Sequence, residues 1–343
     1  MVRLRKVLRS SFLILIITVI IFVFIEGTCS IWHALALPHE RKVYTKYDEQ
    51  IGWVNISNMF VKNFYGNGIY LKINSQGFRN NKDFTVAVPK DKLRIICSGD
   101  SFTFGFGVSN DQAWCQQLAS LDPRLETVNM GVGAYGIDQS YLLYLRNGVK
   151  LDHQIHLFSF ITLDILDRYG DSFMRNGKPY FKLENNKLGL CNVPVPKRAF
   201  YVPWFATYMQ GVNDLRSVKM LSSVYAQWRH KSKKDPKINY DKRIVLKILD
   251  ELDKSNKSRN SVLVAVYLPT KRDFDEDLVR SGQLRSFLKT ELKKRGIVFI
   301  DLFDDFQKLP IEQFTQMFTG HYSVKGNQYV AGLIYEKLKG LIN

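Results

Sequence analysis

Five short, largely apolar runs recur along the chain: Leu93–Ser98, Glu126–Met130, Ile155–Ile161, Val262–Leu268 and Val298–Leu302. Near-continuous apolar runs of this length predict strands buried on both faces. The stretches between them keep helical spacing instead. Ile244, Ile248, Leu249 and Leu252 fall on one stripe, as do Leu284, Phe287, Leu288 and Leu292, and again Ala331, Ile334, Tyr335, Leu338 and Ile342. A further helix is predicted with Asp138 as its N-cap, Tyr141, Leu142 and Leu145 on one face, and Asn147-Gly148 at its end. Strands that alternate with helices imply a parallel sheet between two helical layers.

Other segments break this rhythm. Residues 38–90 hold short aromatic-rich pieces with turns predicted at Gly66-Asn67-Gly68 and Gln76-Gly77, which reads as irregular β structure. Lys178–Leu190 alternates around Asn185-Asn186 and predicts a hairpin. Phe200–Lys234 is aromatic, is expected to be helical, and ends in the basic run His230–Lys234, the usual mark of a solvated linker.

Residues 12–25 read FLILIITVIIFVFI, directly after Arg3, Arg5, Lys6 and Arg9. A basic start followed by an apolar core is the pattern of a membrane-targeting segment whose positive flank stays in the cytoplasm. Ala34-Leu35-Ala36 offers a cleavage pattern but lies far from the apolar core, and Glu26 spoils Cys29 as a lipid-attachment site. The expectation is therefore a cytoplasmic tail over 1–9 and an uncleaved single-pass anchor over 10–32. An irregular segment over 33–90 follows, then one α/β domain over 91–343 with insertions at about 170–240. Everything after the anchor is placed outside the cytoplasm.

Basic residues exceed acidic ones by 49 to 32 among 343 residues, a net charge of +17. The four residues before the apolar run account for only part of this, so the remainder should attract anions of some kind. Four scattered cysteines, Cys29, Cys97, Cys115 and Cys191, form no CxxC pair, which excludes a zinc ribbon or a disulfide-stapled miniature. No cluster at ligand spacing suggests a metal, and no motif calls for a cofactor. Nucleic acid is not an expected partner, since only the net charge speaks for it.

Reactive groups in an open parallel sheet gather beyond the carboxyl ends of the strands. The first strand exits through Gly99-Asp100-Ser101-Phe102-Thr103-Phe104-Gly105. A serine there can start a helix whose backbone N–H groups stabilise developing negative charge, although the same pattern serves as a plain N-cap. The second strand runs into Asn129-Met130-Gly131-Val132-Gly133-Ala134-Tyr135-Gly136. Its glycines would let the backbone pass close to the first loop. Of six histidines only His321 falls in a loop after the last strand and before a helix, where it could act as general base toward Ser101.

In order and spacing these pieces resemble the SGNH (GDSL-type) hydrolase family in its membrane-anchored bacterial form, from about Tyr47 to the end. Tyr47–Trp53 and Ile73–Arg79 look like segments that precede the domain in that branch. Gly99–Gly105, Asn129–Gln139 and His321–Asn327 are similar to its blocks, and the hairpin followed by Pro194-Val195-Pro196 recurs there. The resemblance implies a flavodoxin-like three-layer α/β/α sandwich. It implies Ser101 as nucleophile, His321 as base, and an oxyanion hole from the backbone N–H groups of Ser101 and Ala134. The implied activity is ester hydrolysis or acyl transfer through an acyl-enzyme.

Two positions depart from the family pattern. Leu163 stands where an asparagine would complete the oxyanion hole, and loss of such a donor can cost roughly 10²–10³ in turnover. Phe318 and Thr319 occupy the positions of the aspartate that would orient the histidine. Asp164 or Asp100 could lend support; for Asp164, pairing with Arg168 or a backbone turn is the more ordinary role. The leading expectation is an extracytoplasmic serine esterase acting on an acylated envelope glycan or lipid. The alternatives are a glycan O-acyltransferase and a glycan-binding protein of this fold that has lost turnover.

Overall fold

The computed structural model of the chain describes residues 2–36, 44–174, 176–196 and 242–342, with positions 215, 217, 218, 220 and 221. It divides into two compact units, Met1–Val43 with Phe200–Asn239 and Tyr44–Ala199 with Tyr240–Asn343. Most of the insertion expected to be helical lies outside the described residues.

The first unit contains helix α1 (Val2–Ala36), which takes in the basic residues as well as the apolar run. Arg5–Trp32 has a mean hydropathy of 2.7 and is long and apolar enough to cross a membrane. Two of its hydroxyls are satisfied within the helix. Thr18 Oγ1 donates to the Ile14 carbonyl and Thr28 Oγ1 to that of Phe24, both at 2.8 Å. The Glu26 carboxylate accepts from the Ser217 amide at 2.9 Å and from its hydroxyl at 2.7 Å.

The second unit opens with two antiparallel pairs, β1 (Thr45–Asp48) with β2 (Gly52–Asn55) and β3 (Met59–Gly66) with β4 (Ile69–Ile73). Then β5 (Leu93–Ser98) leads into a short helix, α2 (Ser101–Phe104), and α3 (Trp114–Leu121). The next elements are β6 (Leu125–Asn129), α4 (Ile137–Asn147), β7 (Ile155–Phe160) and α5 (Thr162–Leu166). A small excursion follows, comprising β8 (Ser172–Phe173) with β9 (Asn176–Gly177) and the hairpin β10 (Tyr180–Glu184) and β11 (Lys187–Cys191). Asn185 and Asn186 both take positive φ, 50° and 61°, as a two-residue hairpin turn of the primed type requires. The chain then returns through α6 (Lys242–Lys257), β12 (Val262–Tyr267), α7 (Leu278–Arg295) and β13 (Val298–Asp301). It closes with α8 (Phe303–Gln307), α9 (Ile311–Gln316), the bridge β14 (Phe318–Thr319) with β15 (His321–Tyr322), and α10 (Val324–Ile342).

Strands β13, β12, β7, β5 and β6 lie side by side in that order, every pair parallel. Numbered along the chain this is 2-1-3-4-5, the flavodoxin-like order. Alternate strand residues feed two cores. Ile96, Val128, Phe158 and Ala265 pack with α4, α6 and α7 on one face. Cys97, Leu157, Val266 and Ile300 pack with α3 and α10 on the other. The result is a three-layer α/β/α sandwich.

One expectation fails here. Helix α4 is capped by Gly136 and starts at Ile137, so Asp138 lies inside its first turn. Its buried carboxylate forms an ion pair with Lys178, just ahead of the β10–β11 hairpin. That charged partner, 40 residues further along, draws the side chain away from a capping role.

A polar column crosses the first core. His156, fully buried on β7, bonds Ser98 Oγ through Nε2 and stands 3.2 Å from Asn256 Nδ2 through Nδ1. The Tyr144 hydroxyl lies 2.9 Å from Asn256 Oδ1 and 3.1 Å from His153 Nε2.

Candidate active site

Residues from three loops meet beyond the carboxyl ends of β5, β6 and β7, at the switch point of the sheet. The turn out of β5 is tight because Gly99 has no side chain. A Cβ there would stand 2.3 Å from Thr103 Oγ1 and 2.6 Å from the Ser159 carbonyl. Asp100 caps α2 by accepting the Phe102 amide at 2.8 Å, which places Ser101 at the first helical position. Gly105 ends α2 at φ 83°.

His321, from the β14–β15 bridge, brings Nε2 to 2.8 Å from Ser101 Oγ across 220 residues of sequence. The imidazole is flanked by the rings of Phe102 and Phe106, at centroid distances of 4.7 and 5.0 Å. These contacts fix its plane. Among the described residues no acidic side chain forms an ion pair with it. Phe318 is buried in the second core and Thr319 sits in the bridge, so neither supplies a carboxylate. Burial holds the His321 imidazole below its ordinary value of 6.5; the Asp100 charge opposes this and that of Arg168 adds to it. The ring is therefore neutral at pH 7, the form that can accept a proton.

The second loop crosses directly over α2. A Cβ at Gly131 would meet the Phe104 nitrogen at 2.2 Å and the Phe104 Cα at 2.7 Å, so only glycine allows this approach. Asn129 Nδ2 ties the two loops by donating to the Thr103 carbonyl at 3.0 Å. Trp53 Nε1 donates to the Gly133 carbonyl at 3.0 Å. In a trans peptide the N–H points opposite to the C=O. That bond therefore turns the Ala134 N–H away from Trp53. Ala134 takes φ 65°, a left-handed value that glycine would adopt without strain. Among the described residues neither the Ser101 nor the Ala134 amide has a hydrogen-bond acceptor.

Asp164 and Asp100 converge on Arg168. Nη1 of Arg168 donates to Asp100 Oδ2 at 3.0 Å, to the Tyr135 carbonyl at 2.7 Å, and to Asp164 Oδ1. Asp164 Oδ2 also accepts the Ile161 amide at 3.0 Å, so Asp164 takes the more ordinary of the two roles open to it. Burial and the Asp100 charge push its carboxyl well above the usual range. Asp100 Oδ2 lies 3.3 Å from Ser101 Oγ, which links this cluster to the serine. Leu163, next in chain to Asp164, is half-buried against the second core and carries no donor.

Three residues near the site carry no catalytic marker in the sequence, although Trp53 and Arg79 end the two upstream segments that resemble the family. Arg79 is fully buried and donates to the carbonyls of Phe104, Gly105 and Val108, and to Asn110 Oδ1 at 3.1 Å. It clamps the loop that follows α2. Trp53 aims the second loop, and Tyr44 stacks on Phe104 at 5.1 Å. Each acts across a large sequence separation, which local pattern cannot reveal. No group of three His, Cys, Asp or Glu among the described residues is placed to hold a metal ion.

No protein-family model matches the chain, and no curated protein matches it. Solved structures do. A member of the lipolytic protein G-D-S-L family from Veillonella parvula is 17% identical, covering 71% of this chain and 97% of its own, with a TM-score of 0.41. The lipase/acylhydrolase from Enterococcus faecalis is 14% identical, covering 73% and 97%, with a TM-score of 0.40. A GDSL-like lipase from Bacteroides thetaiotaomicron is 12% identical, covering 76% and 93%, with a TM-score of 0.40.

Proposed function

We propose that the chain is a membrane-anchored serine esterase of the SGNH kind, facing the extracytoplasmic side of a bacterial inner membrane. Its substrate class would be an acylated envelope glycan or lipid. The observation that carries this reading is the 2.8 Å separation of Ser101 Oγ and His321 Nε2 beside two amides that lack acceptors. A nucleophile in contact with a neutral base, next to preorganised donors, is the arrangement acyl transfer requires.

In this reading His321 takes the Ser101 proton as Oγ attacks the ester carbonyl. The tetrahedral oxygen is held by the Ser101 and Ala134 amides. The imidazolium then returns the proton to the departing alcohol, and an acyl-serine remains. Water repeats the sequence in reverse and releases the acid. Asp100 stabilises the transient imidazolium through space, since its charge raises the affinity of His321 for a proton. A sugar hydroxyl in place of water would make the same site an acyltransferase. The absence of a donor at Leu163, and of a carboxylate paired with His321 among the described residues, favours a second reading: a glycan-binding protein without turnover.

Fluorophosphonate labelling of the full-length protein in detergent separates the readings. An adduct on Ser101 that is lost in Ser101→Ala and slowed in His321→Ala is the expected result. A folded protein that takes no label leaves only the binding role.

A further inference from the structure

Two amides leave a tetrahedral oxygen with room for a third donor. The side chain at position 163 has none to give, yet a phenol rests on the loop that carries the Ala134 N–H. Tyr44 lies just ahead of β1, and its aromatic body is accounted for by packing. It stacks on Phe104 of the nucleophile helix at 5.1 Å and 25°, and meets Phe64 edge-on at 5.5 Å. Phenylalanine would make both contacts equally well. The hydroxyl is what needs explaining.

That hydroxyl rests on Gly133, the residue whose carbonyl Trp53 holds and whose peptide carries the Ala134 N–H. A methyl group added to Gly133 would stand 2.1 Å from the Tyr44 oxygen and 3.3 Å from Cζ. Glycine at 133 is thus what admits the phenol to this loop. Tyr44 is half-buried, and among the described residues its hydroxyl makes no hydrogen bond. Burial raises the phenol to about 12, with Arg79 opposing and Asp100 reinforcing the shift, so it stays protonated at any working pH.

We propose that the Tyr44 hydroxyl is the third donor of the oxyanion hole, completing the set formed by the Ser101 and Ala134 amides. It is idle in the ground state and engages only when the carbonyl oxygen becomes tetrahedral and anionic. A donor of that kind contributes to turnover and not to ground-state binding. The inference rests on the esterase reading above.

The test uses full-length protein in detergent, with fluorophosphonate labelling and hydrolysis of a short-chain p-nitrophenyl ester as readouts. Tyr44→Phe should lower kcat and the labelling rate by roughly 10-fold to 10²-fold while KM stays within about threefold. Gly133→Ala, which pushes the hydroxyl aside, should produce a similar loss in the wild-type background. In the Tyr44→Phe background, where the clashing oxygen is gone, it should add little. Should Tyr44→Phe fold poorly, 3-fluorotyrosine at position 44 keeps the shape and strengthens the donor, and should speed labelling. Tyr44→Phe with wild-type kcat and labelling, or losses that multiply in the double variant, would overturn the assignment and leave the esterase reading intact. Wild-type protein that neither labels at Ser101 nor cleaves ester would sink both together.

Discussion

Replacing Arg79 by methionine tests how the loop after α2 is held. The guanidinium is fully buried and forms no ion pair among the described residues; its charge is balanced by three backbone carbonyls and Asn110 Oδ1. Its carbon lies 4.7 Å from the centre of the Phe104 ring. Methionine keeps much of the apolar bulk and removes every donor. Loss of a buried charged hydrogen-bond set lies at the upper end of single-substitution effects, about 3–5 kcal/mol, enough to lower the thermal midpoint by roughly 10 °C in a protein of this size. The freed loop carries Phe106, which flanks His321, so labelling of Ser101 should slow as well. Arg79→Lys should recover little, because one ammonium cannot reach four separated acceptors in the geometry of the guanidinium. Thermal unfolding followed by circular dichroism, paired with labelling rates, gives both numbers. A variant within 1 kcal/mol of wild type, labelling normally, would refute the idea that this cation holds the loop.

Other outcomes follow from the same geometry. In the esterase reading activity requires neutral His321, whose affinity for protons is lowered by burial, so kcat/KM should level off toward neutral pH and fall only on the acid side; an acid limb centred above 6.5 would contradict this. His156 and His153 are both held below 6.5 by burial, so the unfolded chain takes up protons that the native state refuses. Stability should be complete above pH 6.5 and decline as pH falls below it, by up to about 1.4 kcal/mol per pH unit per histidine, and His156→Gln should flatten that slope in urea titrations. Gly131→Ala forces a methyl group to 2.2 Å from the Phe104 nitrogen, and should cost about 1–3 kcal/mol together with most of the Ser101 labelling.

The five sheet strands lie within a residue or two of the apolar runs that predict them, because a strand covered on both faces is apolar along most of its length. The Asn185-Asn186 turn is equally visible, since few residues accept positive φ twice in succession. Ser101 and His321 stand out by their places after strands. What local pattern could not show is the company they keep. Tyr44 meets Gly133, Trp53 reaches the Gly133 carbonyl across 80 residues, and Arg79 reaches the carbonyls after Phe104 across about 25. The misplaced N-cap at Asp138 has the same cause: a distant cation outweighs a local preference.

Four contacts to the reactive loops originate upstream of the parallel sheet, from Tyr44, Trp53, Asn55 and Arg79. Anyone engineering a minimal soluble version would be drawn to cut near residue 90, where the alternating strands and helices begin. Such a fragment would keep all five strands and both Ser101 and His321, yet forfeit the brackets that hold its loops in place. If the esterase reading holds, the shortest active fragment should begin no later than Tyr44.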